Sequence, residues 1–108
     1  MEITQSQKGA WAVLALAGNL DTTGSEQLEA VLLPLANGSP VALDFSGVGY
    51  VTSAGFRTLM IALKQQTASQ GTLVLGGMSA PVRRFFDIAG LSRVFKIVDD
   101  LATVVDAV

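Results

Sequence analysis

The sequence VALDFSGVGYVTSAGF, residues 41–56, joins a short apolar run to the start of an amphipathic segment. The continuous apolar run over 40–45 predicts a strand that is buried on both faces, as in a parallel sheet. Residues 46–51 are predicted to form a loop. Apolar residues then recur at positions i, i+3, i+4 and i+7, which predicts a helix from Ser53 to about Ala68. The residues predicted to face the core are Phe56, Leu59, Met60 and Leu63.

The N-terminal part predicts a β-hairpin and a helix. Residues 2–7 and 10–17 are two extended runs separated by Lys8-Gly9, which is typical of a hairpin. Several capping side chains in residues 19–25 then precede a helical apolar pattern that stops at 37–40. Pro34 predicts a kink or an early end in this helix.

The C-terminal part continues the alternation of strands and helices. We expect a strand over 72–75, a helix over 81–89 with Pro81 in its first turn and Gly90 at its end, and a strand over 95–98. Asp99-Asp100 opens a final short helix through Val105. The order ββαβαβαβα predicts an α/β fold with a mostly parallel central sheet, and one domain covering residues 1–108.

Composition limits the function. With 108 residues, 50% of them hydrophobic and 15% charged, the chain is expected to pack one core. Its net charge of −2 argues against a nucleic-acid partner. Cysteine and histidine are both absent, which excludes thiolate nucleophiles, imidazole bases and ordinary zinc sites. We therefore predict a protein that is not an enzyme, with no catalytic residue, metal or cofactor.

Membrane insertion and secretion are not expected. The longest apolar run, residues 10–17, is far shorter than the roughly 20 residues that span a bilayer. The first residues carry no positively charged head of a signal peptide. These features predict a cytoplasmic location.

The sequence contains partial matches to two motifs, a phosphate-binding loop and a nucleophile elbow, and both lack required residues. Gly71 and Gly76 have the spacing of a phosphate-binding loop, but Gly77-Met78 follow where Lys and Ser or Thr are required. Ser53 lies before a small residue and Gly, but Val51 stands where a nucleophile elbow requires Gly, and no histidine is present to take the proton.

After these motifs are set aside, Thr52-Ser53 is the most informative polar pair. It lies between the end of the predicted buried strand and loop and the start of the amphipathic helix. One interpretation is that Thr52 or Ser53 caps the helix, which is worth about 1 kcal/mol. The other is that Ser53 is a phosphoacceptor, since a helix N-terminus offers free N–H groups and a positive dipole to a phosphate. The two interpretations are compatible.

The order of several motifs resembles one family. Residues 41–48 and 50–56, with Leu59, resemble the signature of STAS domains, specifically the stand-alone anti-sigma factor antagonists. Further similarity lies in residues 18–21, in residues 81–85, and in Gly90-Leu91 with Phe95, so it covers nearly the whole chain and agrees with the predicted element order.

This resemblance implies a function and a site. It implies that Ser53 is phosphorylated by a partner kinase, and Thr52 stands where many members have Asp. The unphosphorylated protein would bind an anti-sigma factor, often itself a serine protein kinase, and so free the sigma factor. Phosphorylation would break the complex and a phosphoserine phosphatase would restore it. The alternative is a STAS subunit of a membrane lipid-transport ABC complex, docked permanently on its ATPase.

A docking surface can be predicted around Ser53. Arg57, Ile61 and Lys64 continue from it at helical spacing. Ile61 is either an exposed anchor or a residue packed under the adjacent helix. By resemblance the loop at 21–23 flanks Ser53, although Asp21 has capping of the first helix as its alternative role. The predicted partner-binding residues are Asp21, Thr22, Thr52, Ala54, Gly55, Arg57, Ile61 and Lys64.

Two further properties of the partner and the protein are predicted. Six of the seven basic residues lie between Arg57 and Lys96, against only Asp87, which is a hint of an acidic partner. We expect the protein itself to be a monomer.

Overall fold

Strands and helices alternate after an initial hairpin in the computed structural model, which describes residues 1–105. The elements are β1 (Glu2–Lys8), β2 (Trp11–Leu20), α1 (Thr22–Leu35), β3 (Val41–Val51), α2 (Ser53–Ala68), β4 (Leu73–Gly76), α3 (Ala80–Ile88), β5 (Lys96–Val98) and α4 (Ala102–Val105). The predicted order ββαβαβαβα is confirmed, and α2 has the bounds that the apolar spacing predicts.

The five strands lie in the sheet in the order β1-β2-β3-β4-β5. The hairpin partners β1 and β2 are antiparallel, and every later pair is parallel, which confirms the mostly parallel sheet. Because crossovers between parallel neighbours are right-handed, α1, α2 and α3 are all carried to the same face of the sheet. The carboxyl ends of β2 and β3 therefore lie beside the start of α2.

The main core lies between that face and the three helices. Phe86 of α3 is fully buried at its centre, and its ring packs edge-on against Phe45, Phe56 and Phe95 with centroid distances of 6.0, 5.0 and 5.9 Å. Such aromatic contacts add about 1 kcal/mol each to the effect of burial. Other fully buried residues of this core are Leu14, Leu28, Leu32, Leu43, Leu59, Leu75 and Val82.

The predicted loop at 46–51 is wrong, because β3 continues without a break to Val51. Its extra residues pair with the end of β2, which itself continues to Leu20 rather than stopping at Ala17, and the pairing shifts register twice. Gly47 makes this possible, since a Cβ there would lie 2.6 Å from the carbonyl oxygen of Leu16. The glycines therefore permit a close, irregular ladder instead of marking a turn.

The buried face of α2 is rotated from the predicted one. Leu59 is fully buried as predicted, but Phe56, Met60 and Leu63 are only half-buried. The deepest positions are Gly55, Thr58, Leu59, Ala62 and Gln66. The reason is that α2 packs against α1 as well as the sheet, and small side chains allow the two helices to approach closely.

Gln66 ties the end of α2 to two loops. The residue is 1% exposed. Its Oε1 accepts a hydrogen bond from the N–H of Gly38 at 2.9 Å, while its Nε2 donates to the carbonyl oxygens of Ser39 at 2.6 Å and Thr72 at 3.0 Å. A polar side chain is tolerated at this depth because its hydrogen-bonding groups are paired.

Within residues 1–105, no helix has both the length and the apolar character required to cross a bilayer.

Candidate functional site

The connection between β3 and α2 is fastened to the end of β2. Thr52 donates twice to the carbonyl oxygen of Leu20, from its backbone N–H and from its hydroxyl, both at 2.9 Å. Thr52 is the N-cap residue of α2, but its hydroxyl is directed to Leu20 and caps no N–H of the helix. Its role in this geometry is to hold the start of α2 in place.

Ser53 is the first residue of α2 and is exposed. Its hydroxyl makes no hydrogen bond to any of residues 1–105. The capping interpretation is therefore wrong for both Thr52 and Ser53. The first N–H groups of α2 have no side-chain cap, so the positive end of the helix dipole is open beside this hydroxyl.

Gly55 supports this turn from below. It is buried, and a Cβ at this position would lie 2.9 Å from both Cβ and the carbonyl oxygen of Leu20, and 3.0 Å from Cγ1 of Val51. A larger residue would push the start of α2 away from the strands. Gly55 therefore shapes the surface around Ser53 without lying on it.

The turn between β2 and α1 adjoins the turn that carries Ser53. Leu20 begins the first turn, and its carbonyl oxygen accepts the hydrogen bonds from Thr52 in the second. Asp21 follows Leu20 directly and is the N-cap residue of α1, with its Oδ1 accepting a hydrogen bond from the N–H of Gly24 at 2.8 Å. The capping role considered for Asp21 is therefore present. The carbonyl of Leu20 joins the start of α1 to the start of α2.

A shallow cleft of about 100 Å³ lies between the N-terminal halves of α1 and α2. It brings together four of the predicted partner-binding residues: Thr22, Ala54, Arg57 and Ile61. Glu26 and Glu29 of α1 line it as well, together with Ser25 and Thr58.

Ser53, Arg57, Ile61 and Lys64 form the predicted docking stripe of α2, and two of them differ in their placement. Ile61 is half-buried in the cleft, so it is covered in part by α1 and still presents apolar surface. Lys64 is exposed one helical turn further along α2, and it does not line the cleft. The stripe therefore begins at the cleft and leaves it after Ile61.

An aromatic pair near the site was missed by the sequence analysis. Tyr50 is 50% exposed at the end of β3, and its ring packs edge-on against Phe85 of α3 with centroids 5.1 Å apart. Tyr50 precedes Ser53 by three residues, and the prediction of a loop there hid its position. An aromatic residue just before the polar turn was the available signal.

Comparison with known proteins places this geometry in a family. The family model described as "Mlab, STAS domain" matches residues 3–99. The chain belongs to the STAS domain family. The resemblance found in the sequence is thereby confirmed.

Two relatives of this STAS domain are regulatory proteins by name. BtrV from Bordetella bronchiseptica, provisionally named an anti-sigma factor antagonist, is 31% identical over 99 residues, which cover 90% of this chain and 85% of BtrV. The anti-sigma-B factor antagonist from Bacillus subtilis is 30% identical over 83 residues, covering 76% of each protein.

Solved structures share the fold. An anti-sigma factor antagonist from Mycobacterium paratuberculosis matches with a TM-score of 0.86 and 19% identity, over 99% of this chain and 92% of that one. The Bacillus cell fate determinant SpoIIAA in its phosphorylated form matches with a TM-score of 0.74 and 18% identity, over 99% of this chain and 100% of that one.

Proposed function

We propose that this STAS domain is an anti-sigma factor antagonist, not an enzyme, and that phosphorylation of Ser53 controls its binding to a partner. The observation that carries the proposal is the exposed, unpartnered hydroxyl of Ser53 at the uncapped start of α2. The names of the two relatives support the regulatory activity. SpoIIAA, which shares the fold, has a phosphorylated form.

The chemistry of the turn suits a reversible phosphate. A phosphoryl group adds about −1.5 to −2 charges at neutral pH. The open N–H groups and the dipole of α2 accept that charge without refolding, because neither Thr52 nor Gly55 depends on the Ser53 hydroxyl for its contacts. The surface charge therefore changes while the fold is kept.

Partner binding would respond strongly to this change. The proposed docking surface consists of Ser53, the cleft residues Thr22, Ala54, Arg57 and Ile61, and Lys64 beyond them. A partner that covers Ser53 would have to bury the phosphate charge, and each 1.4 kcal/mol of penalty weakens binding about tenfold.

The partner of this surface is an anti-sigma factor with serine kinase activity, and a phosphoserine phosphatase would reverse the modification. We place the protein in the cytoplasm as a monomer.

The test uses three baits and a lysate of the source cells. Ser53→Ala represents the unphosphorylated state, Ser53→Asp represents the charged state, and Ser69→Asp is the matched control because it adds the same charge at the other end of α2. We expect a kinase-like protein to be captured by Ser53→Ala and Ser69→Asp but lost with Ser53→Asp, as identified by mass spectrometry.

Equal capture of one partner by all three baits would remove phosphorylation control from Ser53. If that shared partner were a membrane-associated ATPase, the permanent docking subunit of a lipid-transport complex would replace the proposal.

A further inference from the structure

One stripe of α3 beside its buried side leaves apolar surface exposed. Val82 and Phe86 form the buried side of this helix. The flanking stripe, at i, i+3, i+4 and i+7, consists of Pro81, Arg84, Phe85 and Ile88, of which Phe85 is half-buried against the core and the other three are exposed. Ile88 is 78% exposed, the highest exposure among the large apolar residues that the structure leaves on the surface of residues 1–105. Ile88 lies one helical turn from Phe85 and so extends the apolar surface of this stripe.

The stripe is continuous with Tyr50 and contains a groove. The ring of Tyr50 packs on Phe85, and half of the Tyr50 side chain remains exposed. A groove of about 310 Å³ lies along Ala80, Pro81, Arg84 and Phe85. We call the surface formed by Tyr50, Pro81, Arg84, Phe85 and Ile88 the α3 patch.

The charges around the α3 patch select an acidic occupant. Residues 80–96 contain four cations and one carboxylate, that of Asp87. This carboxylate is already engaged, since Arg83 lies 3.7 Å from it and the hydroxyl of Ser92 donates to it. Arg84 has no carboxylate within ion-pair distance among residues 1–105. Considering residues 1–105, the patch thus offers a guanidinium without an ion pair beside an apolar groove.

We propose that the α3 patch docks an acidic amphipathic helix of a partner protein. An apolar side chain of that helix fills the groove between Pro81 and Phe85, and a neighbouring carboxylate pairs with the guanidinium of Arg84. A concave groove beside the guanidinium of Arg84 fits a side chain better than a lipid surface, and the net charge of −2 disfavours a nucleic acid. Among residues 1–105, none lines both the groove of the α3 patch and the cleft between α1 and α2, so this inference goes beyond the proposed switch and does not depend on phosphorylation.

The test is an NMR titration of the unphosphorylated protein with a synthetic helical peptide. The peptide carries Leu at i, i+3, i+4 and i+7 with Glu on both sides, and a second peptide has Lys in place of every Glu. We expect amide shifts at 50, 80 and 82–88 with the Glu peptide only. Arg84→Glu should weaken its binding at least tenfold and create binding of the Lys peptide, whereas the control Arg93→Glu should change affinity less than threefold.

Several outcomes would overturn the proposal. These are the absence of shifts at the α3 patch, shifts confined to the cleft of α1 and α2, or equal binding of the Glu and Lys peptides. Stronger binding at the patch to phosphatidylglycerol vesicles or to a short oligonucleotide than to the Glu peptide would assign it to a membrane or a nucleic acid instead. Circular dichroism of each variant establishes that the fold is intact before binding is compared.

Discussion

At its C-terminal end α2 is tied to two loops by the buried amide of Gln66, whereas at its N-terminal end it presents the exposed hydroxyl of Ser53. Gln66 makes three side-chain hydrogen bonds, and Ser53 makes none within residues 1–105. The start of the helix is still fixed, but through Thr52 and Gly55, which both contact Leu20.

The difference separates a residue that stabilises the fold, Gln66, from a residue that can be modified, Ser53. Removing a partner from a buried hydrogen bond costs about 1–3 kcal/mol, while changing an exposed and unpaired hydroxyl costs little. The two residues are about 20 Å apart along one helix, at a rise of about 1.5 Å per residue. Modification of Ser53 at the N-terminal end of α2 is therefore not expected to weaken the hydrogen bonds of Gln66 at its C-terminal end.

The largest expected effect is at Gln66. Gln66→Leu keeps the volume but leaves the N–H of Gly38 and the carbonyl of Ser39 without the Gln66 amide, and removes one of the two donors to the carbonyl of Thr72. The free energy of unfolding should therefore fall by about 3 kcal/mol. Urea denaturation measures it. Gln65→Leu is the control, because the side chain of Gln65 makes no hydrogen bond within residues 1–105. Equal losses for the two variants would show that the amide of Gln66 contributes nothing special.

A smaller effect is expected at Thr52. Thr52→Val removes the hydroxyl that donates to Leu20 and keeps the shape, so the free energy of unfolding should fall by about 1 kcal/mol. Thr52→Ser retains the donor and should lose less in the same denaturation experiment. If Thr52→Ser were the less stable of the two, packing of the methyl group would hold this turn, and not the hydrogen bond.

The smallest effect is expected at Ser53 itself. Ser53→Ala should change the free energy of unfolding by less than about 0.5 kcal/mol, since the hydroxyl has no partner. Ser53→Asp should stabilise by about 0.3–1 kcal/mol at low salt, because a negative charge is favoured at a helix N-terminus. Added salt should remove that gain. A loss above about 1 kcal/mol for Ser53→Ala would restore the capping interpretation and erase the contrast between the two ends.

These two ends also differ in how well the sequence predicts them. The apolar spacing and the Thr-Ser-Ala-Gly turn predicted the bounds of α2 and the place of Ser53 at its start. Gln66 could not be predicted, because Gln65 beside it is the same residue type. Only the folded chain brings the backbone of 38, 39 and 72 to one of the two amides.

Non-local pairing explains the remaining differences. Residues 46–51 contain glycines that are typical of a loop, but the edge of β2 is available to them and β3 continues. Tyr50 and Phe85 are distant in the sequence and meet only because α3 crosses back over the sheet. Local patterns predicted elements, and the contacts between elements had to come from the structure.

The sequential strand order also bears on how the chain folds during its synthesis. Every parallel strand after β2 is laid beside the strand that was made just before it, so no strand must wait for a later segment to receive its neighbour. Ribosomes add about 5–20 residues per second, whereas helices and short loops close within about a microsecond. Each strand-and-helix unit therefore has ample time to dock before the next emerges, and assembly can proceed vectorially from the N-terminal hairpin to β5.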